Sequence, residues 1–298
     1  MVGSAIKRKL ETLGFNNLIL KTSKQLDLRN QEAVSNFFIK ETPNIVFLAA
    51  AKVGGIVANS TYKAEFLYDN LMIQSNVIDS AYRSNVRKLM FLGSSCIYPK
   101  FAKQPISENE LLSGKLEPTN DAYAIAKITG IKLCESYREQ YGANFISVMP
   151  TNLYGPNDNY DLNNSHVLPA LLKKMHIAKI KNLSSVEIWG SGKPMREFLH
   201  ADDLADACIY LMNTYSEKDF INIGTGTDIS IKDLALLIKE IVGFDGKLVF
   251  NAEKPDGTPR KLLDVKKLND LGWKYKIRLK EGIKQVYEGV INNGSFKP

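Results

Sequence analysis

Leu89-Met90-Phe91-Leu92-Gly93-Ser94-Ser95-Cys96-Ile97-Tyr98 reads as a buried strand that ends in small and polar residues. Downstream, Tyr123-Ala124-Ile125-Ala126-Lys127 lies within a helical pattern. Residues four apart on a helix share a face, so Tyr123 and Lys127 can point into one site. A phenol has an ordinary pKa of about 10, and a neighbouring ammonium is expected to pull it down by favouring the phenolate. A hydroxyl from Ser94, at the strand end, can share a hydrogen bond with the same oxygen. The three together suit protonation of a carbonyl oxygen while a hydride reaches its carbon, which is ketone reduction. Tyr-x-x-x-Lys alone is a weak signal in a chain with 13 tyrosines. The strand before Ser94 strengthens it, as does the loop Pro118-Thr119-Asn120-Asp121, expected to cap the helix that Tyr123 opens.

Outward from this stretch, apolar runs alternate with helical patterns. The runs are Leu18-Ile19-Leu20, Ile45-Val46-Phe47-Leu48, Leu89–Leu92 and Phe145-Ile146-Ser147-Val148-Met149. Helical stretches are expected over Gln31–Lys40, Phe66–Arg83 and Ala122–Gln140. This alternation predicts an α/β fold, a doubly wound parallel sheet of Rossmann type with helices on both faces. Ligands of such sheets sit beyond the C-terminal strand ends, where Ser94 and Thr151 fall. After Tyr154-Gly155-Pro156-Asn157-Asp158 the pattern becomes irregular, as in a loop over a site. A helix leaving the sheet is expected around Ser165 to Lys179, and Arg196–Asp203 is expected to return to it. The division expected is 1–165 as a dinucleotide-binding domain with 196–224 returning to it, and 166–195 with 225–298 as a smaller α/β substrate domain.

The chain has 298 residues, enough to bury a large core. Its formal charge of +7 comes from charges of both signs with no long basic block. That suits anionic small molecules such as nucleotides, and no nucleic-acid recognition motif stands beside it. Cys96, Cys134 and Cys208 form no disulfide framework and no metal pattern, which fits a reducing cytoplasm. No apolar stretch reaches the length of a membrane span.

Five further segments carry a resemblance: Leu48–Gly55, Leu92–Lys100, Met149–Gly155, Trp189–His200 and Lys254–Lys261. Through them the chain resembles the extended short-chain dehydrogenase/reductases, and within these the GDP-L-fucose synthase family, which epimerises GDP-4-keto-6-deoxy-D-mannose at C3 and C5 and reduces it at C4. The resemblance implies Ser94, Tyr123 and Lys127 as the reductive group. It implies Cys96 and His166 as the acid/base pair of the epimerisation, two residue types whose ordinary pKa values of about 8.5 and 6.5 lie near working pH. On their own, a free cysteine is commonly a small buried hydrophobe and a lone histidine a structural one. Sugar-nucleotide dehydratases carry an acidic pair where Ser95 and Cys96 stand here, so water elimination is not expected.

The family uses NADPH. Its cofactor contacts would fall on Gly3, Lys21, Lys24, Asp27, Leu28, Ala49, Leu92, Gly93, Ser94, Ser95, Lys127, Pro150, Thr151, Asn152, Leu153 and His166. Basic groups such as Lys21 and Lys24 suit the extra phosphate of NADP, although lysines after a strand are often merely solvated. Substrate contacts would fall on Lys174, Trp189, Arg196, Asp256 and Lys261. Position 174 is often arginine in the family, so a forked contact becomes a point charge here. His176 and His200 read as structural. The family's homodimers would pair through the helices over Phe66–Arg83 and Ala122–Gln140, which also suit ordinary core helices.

A dinucleotide fold opens with strand, glycine turn and helix. This chain opens on Met1-Val2-Gly3-Ser4-Ala5, which resembles the end of that turn, so the sheet is expected to lack its first strand and the turn its two earlier glycines. The expectation is that Met1 is an internal methionine and the native protein roughly a dozen residues longer. A degenerate copy that binds a dinucleotide without catalysis is the alternative from another class. Among enzymes the alternative is an extended reductase or epimerase for another nucleotide sugar.

Overall fold

The computed structural model describes residues 1–162, 164–254, 256–294 and 296. The first half runs α1 (Val2–Thr12), α2 (Gln31–Glu41), β1 (Ile45–Leu48), α3 (Ile56–Thr61), α4 (Lys63–Arg83), β2 (Lys88–Leu92), α5 (Asp121–Tyr141), β3 (Phe145–Pro150) and β4 (Asn152–Tyr154). The second runs α6 (Val167–Ile180), β5 (Ser185–Trp189), β6 (Met195–His200), α7 (Ala201–Thr214), β7 (Ile221–Ile223), β8 (Asp228–Ser230), α8 (Ile231–Val242), β9 (Lys247–Asn251), β10 (Arg260–Lys261), α9 (Lys266–Asp270) and α10 (Leu279–Asn292).

The main sheet has the order β1-β2-β3-β7, all parallel. β2 and β3 are buried along their whole length, which is why, apart from Lys88 and Ser147, their sequences are apolar rather than alternating. Their side chains still alternate between two cores. Leu89, Phe91, Phe145 and Met149 face one, and Met90, Leu92, Ile146 and Val148 face the other. α4 buries Phe66, Asn70, Gln74, Val77, Ile78 and Ala81 on one helical face, of which Val77, Ile78 and Ala81 enter the first of these layers. α5 lies close on β2, because a Cβ at Gly130 would stand 2.3 Å from Cζ of Phe91. α7 covers the other layer with Leu204, Ala207, Cys208 and Leu211.

Leu18-Ile19-Leu20 does not form the strand expected of it. Ile19 and Leu20 are 42% and 55% exposed. A strand is made by pairing, and among the described residues β1 is the last strand on that side of the sheet, with none beyond it. α1 instead sets Ala5 and Ile6 against Phe47, Ala49, Ala201 and Ala205.

The remaining strands form two small sheets, β10-β6-β4 with β8 beside β6, and the parallel pair β5-β9. α6, α8 and α10 build a third core there around Leu172, Met175, Leu234, Ile238 and Ile283. The tail does not stay with that core. Leu263 and Val265 enter the layer under α4 and α5, and Leu268 and Trp273 enter the layer under α7. Among the described residues no helix is long and apolar enough to cross a membrane.

Candidate active site

The C-terminal ends of β1, β2 and β3 open into one cavity of about 1080 Å³ that continues to the small sheets. β2 ends at Leu92, and Ser94 then caps a single 3-10 turn, its Oγ accepting from the Cys96 amide at 3.4 Å. α5 places Tyr123 in its first turn and Lys127 one turn later, both lining this cavity. Asn120, at the N-cap of α5, makes no side-chain bond to the helix, so the expected cap is not formed. Asp121 does the local work instead, accepting from its neighbour Ala122 at 2.8 Å and pairing with Lys63 at 3.0 Å.

The expected influence of Lys127 on Tyr123 is not what the site contains. Burial pushes the phenol up, the Cys96 charge adds to that, and a hydrogen bond with Ser94 works against it. The Lys127 ammonium donates to the Leu92 carbonyl at 2.7 Å, and burial lowers its own pKa to about 8. Desolvation is the largest influence on both groups. Tyr123 therefore holds its proton, the state a proton donor needs.

His166 stands immediately before α6 and faces the same cavity. It is held there by a close approach of backbones. A Cβ at Gly55 would be 2.7 Å from the Ser165 carbonyl, and the Gly55 amide donates to Asn164 at 3.0 Å. The Lys52–Gly55 loop is in turn pinned by buried Asn70, which accepts from the Lys52 amide at 2.9 Å and donates to the Lys52 carbonyl at 3.0 Å. Burial lowers His166, and the Lys261 charge lowers it further. Burial raises the Cys96 thiol, against the pull of Lys261, Ser94 and Lys127.

At one end of the cavity Met1, Val2 and Gly3 begin α1. Nothing lies within 4 Å of where a Cβ on Gly3 would stand, so a phosphate can approach the free amides of that helix end. Lys21, Asp27 and Leu28 line this end, Asp27 paired with Arg29 at 2.8 Å. Ala49, Leu92, Gly93, Ser95, Pro150, Thr151, Asn152 and Leu153 line the floor. This donor-rich, small-residue trough fits a dinucleotide. Lys24 lies outside the lining, on an exposed turn.

The opposite end carries Lys174, Trp189, Arg196, Asp256 and Lys261. Two ammonium groups lie over the Trp189 ring, Lys174 at 5.0 Å and Lys254 at 5.5 Å from the centroid. Burial brings Arg196 down to about 10. Asp256 is occupied by the turn beside it, accepting from the amide and the hydroxyl of Ser191, each at 2.7 Å.

A scan of protein families matches residues 1–224 to the "NAD dependent epimerase/dehydratase family". GDP-L-fucose synthase 1 of Arabidopsis thaliana is 58% identical over 293 residues, 98% of this chain and 91% of that protein. GDP-L-fucose synthase of Escherichia coli K12 is 56% identical over 302 residues, 98% of this chain and 94% of that protein. The chain belongs to the GDP-L-fucose synthase family. A solved GDP-L-fucose synthetase of Naegleria fowleri, bound to NADP, superposes with a TM-score of 0.91 at 30% identity, covering 99% of this chain and 92% of that one.

Within that family's fold, every residue expected at the site except Lys24 lines the one cavity. His176 and His200 are engaged elsewhere, His176 with the Tyr287 hydroxyl at 3.0 Å and His200 as the cap of α7. Glu117 was not foreseen. It is buried, lines the cavity and is paired with Lys100 at 2.9 Å. Its only signal was its place just before the loop leading to Tyr123. The role of Gly55 in placing His166 was equally silent, because it depends on a contact more than a hundred residues away along the chain.

Proposed function

We propose that this chain converts GDP-4-keto-6-deoxy-D-mannose to GDP-L-fucose by inverting C3 and C5 and reducing C4, with NADPH as reductant. The observation that carries the reading is that Cys96 and His166 line the same cavity as Ser94, Tyr123 and Lys127. A reductase alone needs only the last three.

In this reading residues 1–165 with 196–224 hold the dinucleotide, and 166–195 with 225–298 hold the GDP-sugar. Arg196 and Lys174 meet the diphosphate, and the Trp189 face packs on a ring. Hydrogens on the carbons flanking the C4 ketone are acidic because the enolate is stabilised. One member of the Cys96/His166 pair removes such a proton, and the other returns one to the opposite face. After both inversions, Tyr123 gives its proton to the ketone oxygen, Ser94 orients that oxygen and Lys127 fixes the ribose side of the cofactor. Bound NADPH supplies the hydride to C4. Lys21 suits the additional phosphate that separates NADP from NAD.

A homodimer through α4 and α5 belongs to the same reading, supported by the exposed apolar residues Tyr68 and Ile125 on those helices. So does a cytoplasmic location, supported by three unpaired cysteines. The test is to follow NADPH consumption by the purified chain on GDP-4-keto-6-deoxy-D-mannose and to identify the product by NMR. GDP-L-fucose is expected. Reduction to an unepimerised GDP-6-deoxyhexose would remove the epimerase half, and no turnover would remove both.

A further inference from the structure

The Lys52–Gly55 loop belongs to no helix or strand, and two buried asparagine side chains hold its backbone. Asn70 holds one end through both backbone groups of Lys52. Asn59, in α3, holds the other. Its Nδ2 donates to the Gly54 carbonyl at 2.6 Å and to the Gly55 carbonyl at 3.0 Å. The Gly55 carbonyl also accepts from the Asn59 backbone amide at 3.0 Å, so one residue fixes it twice. Asn59 is only 6% exposed, and its Oδ1 is buried with no hydrogen-bond partner among the described residues. An apolar side chain of the same size would fill the space and leave nothing unsatisfied. What the position uses is therefore the NH2 group.

The two donors fix the face of the loop that meets the residues before His166. The Gly55 amide donates to the Asn164 carbonyl, and a Cβ on Gly55 would stand 2.7 Å from the Ser165 carbonyl oxygen. Gly55 has φ −70°, which any residue adopts, so closeness and not conformation requires a glycine there. Between the Asn59 side chain and His166 the contacts run from backbone to backbone, with no flexible side chain among them. The loop's other face meets the reductive group. A Cβ on Gly54 would lie 3.0 Å from Cζ of Phe66, whose ring meets that of Tyr123 edge-on at 6.3 Å.

We propose that Asn59 is a positioning residue of the epimerisation: by holding the Gly54 and Gly55 carbonyls it sets where the His166 imidazole stands in the cavity. The inference rests on the function proposed above and assigns Asn59 to one half of it. Moving a proton to or from C3 or C5 needs the imidazole within reach of that carbon, and a misplacement of about 1 Å can slow such a step about 10²-fold. Hydride transfer at C4 relies on Ser94, Tyr123 and Lys127, which the end of β2 and α5 carry. Asn59 itself lines the cavity, so a direct contact with the sugar is the reading to be separated from this one.

The experiment is Asn59→Leu, which fills the space and removes both donors together with the unsatisfied oxygen. Solvent deuterium entry at C3 and C5 of GDP-4-keto-6-deoxy-D-mannose, without NADPH, is expected to slow about 10–100-fold. The control is the reverse of the reductive step. NADP+ takes the hydride from C4 of GDP-L-fucose, the C4 hydroxyl releases its proton to solvent, and no bond to hydrogen at C3 or C5 breaks. Its rate is expected to be unchanged, whereas a general collapse of the loop would reach Phe66 and Tyr123 and lower it too. In the NMR spectrum without substrate, the imidazole signals of His166, one of three histidines, are expected to move while those of His176 and His200 stay. Gly55→Ala sets a methyl group against the Ser165 carbonyl and is expected to slow deuterium entry from the other side of the same contact; it carries the test if the leucine variant does not fold. Equal losses in both reactions, a raised KM for both GDP-sugars with the rates kept, or unmoved His166 signals would overturn the proposal. The histidine spectrum needs no turnover, so this failure is distinct from a wild-type chain that admits no deuterium, which would sink the epimerase reading itself.

Discussion

Replacing Glu197 by alanine tests how the walls of the cavity are joined. Glu197 lies on β6, next to Arg196, and is fully buried. Its carboxylate accepts from three backbone amides, those of Thr225, Gly226 (2.7 Å) and Leu263 (3.0 Å). The chain crosses so close that a Cβ at Gly224 would stand 2.3 Å from its Oε1. One side chain thus ties β6 to the turn after β7 and to the segment just beyond β10. A buried donor left without an acceptor costs about 1–3 kcal/mol, so the three, of which only the Leu263 amide is in a fully buried bond, amount to at most roughly 3–9 kcal/mol. Burial pushes the Glu197 carboxyl up, and the alanine variant is relieved of that desolvation, which offsets several kcal/mol. The net expectation for Glu197→Ala is a loss of about 3 kcal/mol, a large share of a domain's usual ~5–15 kcal/mol. Glu197→Gln keeps one accepting oxygen and turns an NH2 toward one amide, for a loss of about 1–2 kcal/mol. Urea unfolding of the three proteins measures both. A glutamine variant as unstable as the alanine one, or an alanine variant within about 1 kcal/mol of wild type, would refute the accounting.

Tyr123→Phe is expected to lower ketone reduction by about 10²–10⁴-fold, with a smaller loss of solvent deuterium entry at C3 and C5, because the Ser94 hydroxyl remains; NMR of the substrate separates the two rates. Lys127→Met is expected to abolish reduction yet stabilise the cofactor-free protein. Burial takes Lys127 from 10.5 to about 8, so the folded state binds fewer protons than the unfolded one between those values. Wild-type stability then rises with pH across that window, and below it the lysine carries a penalty of about 3 kcal/mol that methionine lacks. Thermal melts at intervals between pH 7 and pH 10.5 should show the gap closing; a constant gap would count against the depressed lysine. Ser94→Ala is expected to slow reduction and deuterium entry by similar factors, and a loss confined to reduction would separate Ser94 from the epimerisation.

Much of the sheet was legible because β2 and β3 are buried on both faces and so read as near-continuous apolar runs, and the half-buried β1 is apolar throughout. The same signal misled at Leu18–Leu20, because hydrophobicity does not supply a pairing partner and pairing is not local. Tyr123 and Lys127 were legible from helical spacing, but the direction of the phenol's shift was not. It depends on how much water is excluded around the ring, and a sequence does not display burial at a junction of several elements. Cys96 and His166 have no periodic signature at all. They line the same cavity, His166 being placed there by the Gly55 contact with Ser165, and only resemblance to a family pointed to them. Glu117 was missed for the opposite reason: a carboxylate before a loop looks like ordinary surface, and its partner Lys100 is seventeen positions earlier, on neither a helix nor a strand.

The two proposed reactions make the same demand on one atom. Removing a proton from C3 or C5 moves negative charge onto the C4 oxygen as an enolate. Delivering hydride to C4 moves negative charge onto that same oxygen as an alkoxide. Donors aimed at one position therefore serve both steps, and aligning them once costs no reorganisation between steps. Ser94 is placed for this, lining the cavity with Tyr123 while its Oγ accepts from the Cys96 amide. The proton-holding Tyr123 suits it too, since a phenol donates a hydrogen bond to an enolate before it gives up its proton to an alkoxide. A site with separate oxygen-binding groups for each step would have to turn the sugar between them. In this arrangement the sugar stays anchored at its diphosphate while Cys96 and His166 work on the carbons beside C4, and the ketone oxygen need not leave its place until reduction ends the sequence.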